Sequence, residues 1–118
     1  MKFRSSKRSK ATDISDKVKR AVYERDNELC VVCGRRGLPE AHYIPRSAGG
    51  LGIEENVVTL CRDCHERMDH GDKYDMTVIS TMVRMYLKEH YSNMEYPDDR
   101  YHPKQDSKLI YQKYGGEL

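Results

Sequence analysis

Apolar side chains recur at helical spacing in two parts of the chain. The first part predicts an amphipathic helix over about residues 14–26, with Asp13 or Ser15 as its cap. Its apolar positions are Ile14, Val18, Ala21 and Val22. The second part predicts a longer helix over about residues 75–91. Its buried stripe consists of Met76, Ile79, Val83, Tyr86 and Leu87.

Between these helices the pattern changes to that of a β-hairpin. Residues 41–44 predict a short strand that ends before Pro45, because the residue before a proline is driven out of the helical region. The β-branched run "VVTL" at 57–60 predicts the second strand, and a glycine-rich loop joins the two. Helical signals return at "CHERMDH" and stop at Gly71, and "SKLIYQKY" predicts a further short helix.

Composition places these elements in one domain. The chain has 118 residues, 37% of them apolar, with one Phe and no Trp, so a metal or covalent staple is expected to support a small core. We predict a flexible basic arm at residues 1–12 and a single α+β domain at 13–118, with a core over about 20–70 and a C-terminal helical extension at 75–118.

Charge is concentrated at the N-terminus. The net charge is only +2, but "MKFRSSKRSK" carries five Lys/Arg and no acid, which indicates an anionic polymer as partner; a tail that merely aids solubility is the alternative. No apolar run is long enough to cross a membrane, and no signal peptide follows the basic residues, so a cytoplasmic protein without a membrane partner is expected.

The cysteines form two Cys-x-x-Cys pairs separated by 27 residues. In a reducing compartment such pairs predict a closed tetrahedral zinc site with four thiolate ligands. The ligands are Cys30, Cys33, Cys61 and Cys64. A thiol redox protein is the alternative, although its motif is expected to be single and close to a βαβ unit.

A second metal site is predicted on the helix that follows Cys64. His65 points about 100° away from Cys64, and Asp69 lies one turn further on the same face, so the two side chains could share a divalent cation. Glu66 and His70 have the same spacing on an adjacent face, and spacing alone does not separate the two pairs.

Taken together, "AHYIPRSAGGLGIEENVVTLCRDCH" resembles the HNH nuclease family, whose fold is a ββα-metal hairpin packed on a helix. His42, Asn56 and His65 follow each other at the family's positions, 14 and then 9 residues apart. The resemblance implies metal-dependent hydrolysis of DNA that leaves 5′-phosphate and 3′-hydroxyl ends. The stretch looks in particular like the small HNH proteins often encoded by bacteriophages near packaging genes, which implies terminase or another packaging protein as a partner.

The resemblance also implies roles for individual residues. His42 is the expected general base, and His65 with Asp69 is expected to hold Mg²⁺ or Mn²⁺. Asn56 is expected to tie the loop to the strand and so to orient His42. Many family members have a metal ligand directly before the general base, where this chain has Ala41, and the adjacent Glu40 is expected on the opposite strand face.

Contacts with DNA are expected from the loop and from the arm. Arg46 follows a proline beside the predicted site, where it could grip a phosphate. The arm residues expected to contact DNA are Lys7, Arg8 and Lys10. The rival hypothesis is a non-catalytic zinc module that binds nucleic acid through the same basic surface. Packing rather than base stacking is predicted for Tyr96, Tyr101, Tyr111 and Tyr114.

Overall fold

The computed structural model describes residues 7–93 and Tyr96, and these form a small α+β fold. A two-stranded antiparallel sheet is surrounded by helices. In chain order the elements are α1 (Lys7–Thr12), α2 (Asp16–Arg25), β1 (Leu38–His42), β2 (Val57–Leu60), α3 (Arg62–His70) and α4 (Lys73–His90). A single 3₁₀ turn, Arg46–Ala48, lies in the connection between the strands.

The hairpin is the centre of the fold. Ala41 pairs with Val58 and His42 with Val57, while the register slips by one residue towards Leu38, which pairs with Leu60. All four residues of β2 are buried. Since successive strand residues point to opposite faces, both faces of β2 must be covered.

The main hydrophobic core lies between the hairpin and the two C-terminal helices. Met68 of α3 and three residues of α4 are fully or almost fully buried against Ala41, Val58 and Leu60. The three residues of α4 are Ile79, Val83 and Leu87. Tyr96 is also buried, where its hydroxyl donates to the Glu55 carbonyl, so the packing role predicted for this tyrosine is confirmed.

Side-chain caps explain where three of the helices begin. The Ser15 hydroxyl accepts from the Val18 amide at the start of α2. Asp72 caps α4 in the same way, and the Cys61 sulfur accepts from the Cys64 amide at the start of α3. Each acceptor satisfies one of the amide groups that the first turn of a helix leaves unpaired. Of the two predicted caps for α2, the structure therefore selects Ser15.

A buried ion pair joins α2 to β2 and α4. The Asp26 side chain is fully buried and accepts from Arg25 Nε at 2.7 Å, from the Tyr86 hydroxyl at 2.5 Å and from the Thr59 amide at 2.8 Å. Arg25 also donates to the Val57 carbonyl at 2.8 Å. This cluster fixes the helices relative to the strand that leads into the second cysteine pair.

Two expectations from the sequence require correction. The segment expected to be wholly a flexible arm is helical over Lys7–Thr12, and Thr12 is buried, because its end is hydrogen-bonded to the domain through backbone carbonyls. The first strand runs from Leu38 to His42 rather than over 41–44, since the chain after His42 leaves the ladder for the loop.

Other expectations fall outside the structural description. The predicted helix at 107–114 and the remaining C-terminal tyrosines, Tyr101, Tyr111 and Tyr114, lie outside the described residues. Within the described part of the chain, none of the helices combines the length and the hydrophobicity needed to span a bilayer.

Candidate functional site

An open groove of about 450 Å³ lies where the end of β1, the 3₁₀ turn and α3 meet. It is lined by Glu40, His42, Pro45, Arg46, Ser47, His65, Asp69 and His70. The groove therefore joins residues from a strand, a loop and a helix. Two of the three predicted catalytic residues, His42 and His65, are among them.

His42 is the last residue of β1 and is half-buried. Its Nε2 atom lies 2.8 Å from the backbone carbonyl oxygen of Thr12. Burial lowers the pKa of His42 below its ordinary value, and the positive charge of Arg46 acts in the same direction; the Thr12 carbonyl opposes them without reversing the shift. The ring is therefore neutral at neutral pH, as proton acceptance requires.

Asn56 lies beneath the loop that follows His42 and is completely buried. Its Oδ1 accepts from the Ile44 amide at 2.8 Å, and its Nδ2 donates to the carbonyls of Ile44 at 3.1 Å and Leu51 at 2.9 Å. The loop approaches so closely that a Cβ on Gly50 would lie 1.7 Å from the Ile44 carbonyl oxygen. Asn56 thus joins both ends of the loop through contacts that begin two residues after His42.

His65 and Asp69 face the groove from α3. His65 Nε2 lies 3.1 Å from Asp69 Oδ2, and both side chains are partly exposed. The hydrogen bond to Asp69 raises the pKa of His65 above its ordinary value, although burial opposes the shift. A proton and a divalent cation would compete for these two atoms; the carboxylate suits Mg²⁺ or Mn²⁺, whereas imidazole is a ligand more typical of transition metals.

The alternative helical pair is divided between two concavities. His70 lines the same groove as His42, whereas Glu66 lines a separate one together with Arg62 and Cys61. Of the two pairs with i, i+4 spacing, only His65 and Asp69 both line the groove.

Glu40 is a groove residue that the sequence did not predict for the site. Ala41 is fully buried and its methyl group offers no ligand, whereas Glu40 is exposed and lines the groove. The carboxylate of Glu40 also helps to raise the pKa of His65, and it lies 3.7 Å from Lys19 Nζ. The strand period could have indicated this position, because residues two apart share a face and Glu40 precedes His42 by two.

The four cysteines lie together at the other end of the hairpin. Their sulfur atoms are all within 4.8 Å of one another, and Cys33 Sγ is 3.5 Å from Cys61 Sγ. A disulfide would require about 2.05 Å, and all four thiols are free. Zinc–sulfur bonds of about 2.3 Å in a tetrahedron place sulfur atoms about 3.8 Å apart. The cluster could therefore bind a structural metal ion.

Local hydrogen bonds shape the ionisation of the cysteine cluster. Burial acts to raise the pKa of Cys30, but backbone hydrogen bonds from Cys61 and Cys33 outweigh it and lower the pKa to about 7. Burial and the neighbouring Cys61 thiol instead raise the pKa of Cys64. Four thiolates cannot coexist at this spacing without a cation, so the donor set fits a metal such as zinc.

The predicted DNA-contacting residues are distributed over two surfaces. Arg46 lines the groove, is half-exposed and forms an ion pair with Asp13. Lys10 is exposed on α1, while only the backbone of Lys7 and Arg8 is described. Three further cations surround the second concavity beside the cysteine cluster: Arg35, Arg36 and Arg62.

Comparison with known proteins gives one family. Residues 30–78 match the model of a family described as HNH endonuclease. The matched stretch holds all four cysteines together with His42, Asn56, His65 and Asp69. No curated protein gives a significant match to the chain. The family match supports a nuclease-type activity.

Proposed function

Because residues 30–78 belong to the HNH endonuclease family, we propose that this protein is a metal-dependent endonuclease that hydrolyses DNA phosphodiester bonds. The observation that carries the proposal is the meeting of His42, His65 and Asp69 on one open groove. These residues come from a strand and a helix that the sequence separates by a 14-residue connection and a second strand, and the hairpin brings them together.

In this reaction His42 acts as the general base. Its neutral imidazole accepts a proton from water, and the water oxygen then attacks the phosphorus atom. The bond from phosphorus to the 3′ oxygen breaks, the leaving oxygen takes up a proton, and a 5′-phosphate remains. Asn56 holds the loop beside His42 and so limits the movement of the base.

Other groove residues would neutralise the negative charge of the phosphate, either directly or through a bound metal ion. His65 and Asp69 would hold Mg²⁺ or Mn²⁺, and Glu40 of β1, which lines the same groove, would be a third ligand. The bound ion would supply charge neutralisation at the phosphate and at the leaving oxygen. Arg46 would contact a non-bridging oxygen of the scissile phosphate, or a neighbouring phosphate, because its guanidinium is half-exposed at the groove edge.

We assign zinc to the cysteine cluster as part of the same proposal. Its ion would join the knuckle at Cys30 and Cys33 to the start of α3 and thereby set the position of His65, the next residue after Cys64. Metal analysis of the purified protein tests this assignment, with one zinc per chain as the expected result.

The decisive experiment is incubation with supercoiled plasmid in Mg²⁺, in Mn²⁺ and with no added divalent ion. We expect nicked or linear products only when a divalent ion is added, and cleavage slower by about 10²- to 10⁴-fold from His42→Ala protein of equal zinc content. Zinc-replete, folded protein that cuts no DNA in any divalent ion would overturn the proposal.

A non-catalytic nucleic-acid-binding module is the second candidate. It is favoured by the arginines beside the cysteine cluster, since Arg35, Arg36 and Arg62 line a concavity that lacks the histidines of the groove. This candidate predicts DNA binding that Arg35→Ala and Arg62→Ala weaken, without cleavage in any metal. The plasmid assay and a binding assay on the same preparations separate the two functions.

We extend the proposal to a partner. One groove of this kind cuts one strand, so cleavage of both strands requires a second copy, a second event or a partner protein. The resemblance to phage HNH proteins encoded near packaging genes favours a terminase subunit. Co-purification with a terminase large subunit, and a rise in linear product when it is added, are the expected results; neither effect would be seen if the chain acts alone.

A further inference from the structure

The short segment of residues 11–13 lies against the groove although it precedes the stretch that matches the family. Thr12 is 4% exposed, and its carbonyl oxygen lies 2.8 Å from Nε2 of His42. The segment is also seated on the loop, where the Gly52 amide donates to the Ala11 carbonyl at 3.0 Å. The 11–13 segment therefore contacts both the candidate base and the loop that positions it.

The contact with Thr12 determines which nitrogen of His42 carries the proton. A backbone carbonyl oxygen can only accept a hydrogen bond, so in the neutral ring Nε2 must be the protonated nitrogen. The lone pair available to water is then on Nδ1. Fixing one tautomer in this way is a requirement for a general base, since the other tautomer presents an N–H to the water.

The same segment holds the candidate phosphate contact. The Asp13 carboxylate forms an ion pair with the guanidinium of Arg46, and both side chains are about half exposed. Asp13 therefore orients Arg46 at the groove edge, and its negative charge competes with a DNA phosphate for the same guanidinium.

We propose that the 11–13 segment is a positioning element of the nuclease site, in which the Thr12 carbonyl selects the base tautomer of His42 and Asp13 restrains Arg46. The inference rests on the proposed function, because a role in positioning the base presupposes that His42 acts in cleavage. The two contacts can nevertheless be measured on protein alone.

Gly52 offers a way to displace the segment without altering the groove residues. A Cβ at this position would lie 2.0 Å from the Asp13 carbonyl oxygen and 2.5 Å from its carbonyl carbon. In Gly52→Ala the 11–13 segment and the loop must therefore move apart. Thr12→Ala is the matched control, because it removes a buried side chain but retains the carbonyl that contacts His42.

The readout is the tautomer of His42 in long-range ¹H–¹⁵N spectra of the full chain, with the resonance assigned by its disappearance in His42→Ala. We expect the Nε2–H tautomer in the wild type and in Thr12→Ala, and a mixture of tautomers in Gly52→Ala. We also expect kcat to fall about 10- to 100-fold in Gly52→Ala, as a displaced catalytic group predicts.

Two results would overturn the positioning role. One is a wild-type His42 in the Nδ1–H form, which can be tested even if Gly52→Ala does not fold. The other is a folded Gly52→Ala with an unchanged tautomer. If the tautomers behave as expected but the protein cuts no DNA, only the nuclease proposal is contradicted. Failure of the positioning role and failure of the nuclease function are therefore distinguishable.

The role of Asp13 has its own test. Asp13→Asn should tighten DNA binding by about two- to fivefold, the range expected for release of an exposed ion pair. Asp16→Asn makes the same change of charge at the start of α2 and is the control. An equal effect of both substitutions, or no effect of Asp13→Asn, would show that Asp13 does not restrain Arg46.

Discussion

At the scale of single residues, the histidine at the end of β1 carries the sharpest prediction. His42→Ala should reduce the cleavage rate by about 10²- to 10⁴-fold, because a positioned base contributes that much. Folding, zinc content and DNA affinity should be nearly unchanged, since His42 is not among the ligands assigned to either metal. Plasmid cleavage measures the change in rate, and His90→Ala, an exposed histidine on α4, is the control.

The pKa of His42 also predicts how the cleavage rate depends on pH. The pKa of His42 is lowered chiefly by burial, so its value lies below the ordinary 6.5 or so. As pH falls through that value the ring gains a proton and can no longer accept one. The acid limb of the kcat/KM profile, which reports the free enzyme, should therefore have its midpoint below about pH 6.5; a midpoint above it would contradict the assignment of the base.

Glu40 supports a separate prediction about metal affinity. If its carboxylate helps to hold the ion beside His65 and Asp69, Glu40→Gln should weaken Mn²⁺ binding by about tenfold or more while the zinc remains. Calorimetric titration with Mn²⁺ measures this in the absence of DNA. Glu28→Gln, an exposed glutamate paired with Arg36, is the control, and equal Mn²⁺ affinity in both variants would remove Glu40 from the site.

At the scale of elements, the sequence predicts what depends on local pattern and fails where long-range contacts decide. The strand Val57–Leu60 is where its β-branched run indicates, and α3 ends before Gly71 as predicted. β1 begins earlier than expected, at Leu38, because an exposed leucine and a proline give no strand pattern, and the pairing of Leu38 with Leu60 is a long-range contact.

The candidate site shows the same division. The order and spacing of His42, Asn56 and His65 are visible in the sequence, because the family motif is local. The hydrogen bond from His42 to Thr12 joins residues 30 apart in the sequence, and no periodic pattern in the chain predicts it. The basic composition of residues 1–12 instead favours an unfolded arm, which is why the contribution of the 11–13 segment was not predictable.

The buried ion pair between α2 and its surroundings provides the prediction at this scale. Asp26→Ala removes the acceptor shared by Arg25, Tyr86 and the Thr59 amide, and leaves a guanidinium that is 10% exposed without its counterion. The free energy of unfolding should fall by about 3–5 kcal/mol. Urea denaturation measures it against Glu24→Ala, an exposed change on the same helix; similar midpoints for the two variants would contradict the structural role of the cluster.

At the scale of the whole molecule, we expect metal binding at the cysteine cluster to decide whether the domain folds. Binding of a structural zinc contributes about 10–16 kcal/mol, which is comparable to the whole stability of a typical domain, about 5–15 kcal/mol. Cys64→Ser, or strong chelation of the wild type, should therefore unfold the chain rather than merely slow the reaction. Circular dichroism and zinc analysis test this, and an unchanged melting curve after complete zinc removal would exclude a structural metal.

The basic N-terminus is expected to act through its positive charge, and this effect can be separated from that of the adjoining 11–13 segment. Deleting residues 1–10 removes five Lys/Arg but leaves the Thr12 carbonyl and Asp13 in the chain. If the removed residues bind phosphates, affinity should fall for every DNA sequence, and the slope of log K against log salt should flatten by about 0.9 for each phosphate that is no longer neutralised. Replacing Lys7, Arg8 and Lys10 together by glutamine should reproduce part of the change at constant length.

Because the segment that fixes His42 is retained, kcat at saturating DNA should stay close to that of the full chain. An unaltered salt slope would make the N-terminus a solubility tail, whereas a fall in kcat with an unaltered slope would show that residues 1–10 act by holding the 11–13 segment in place.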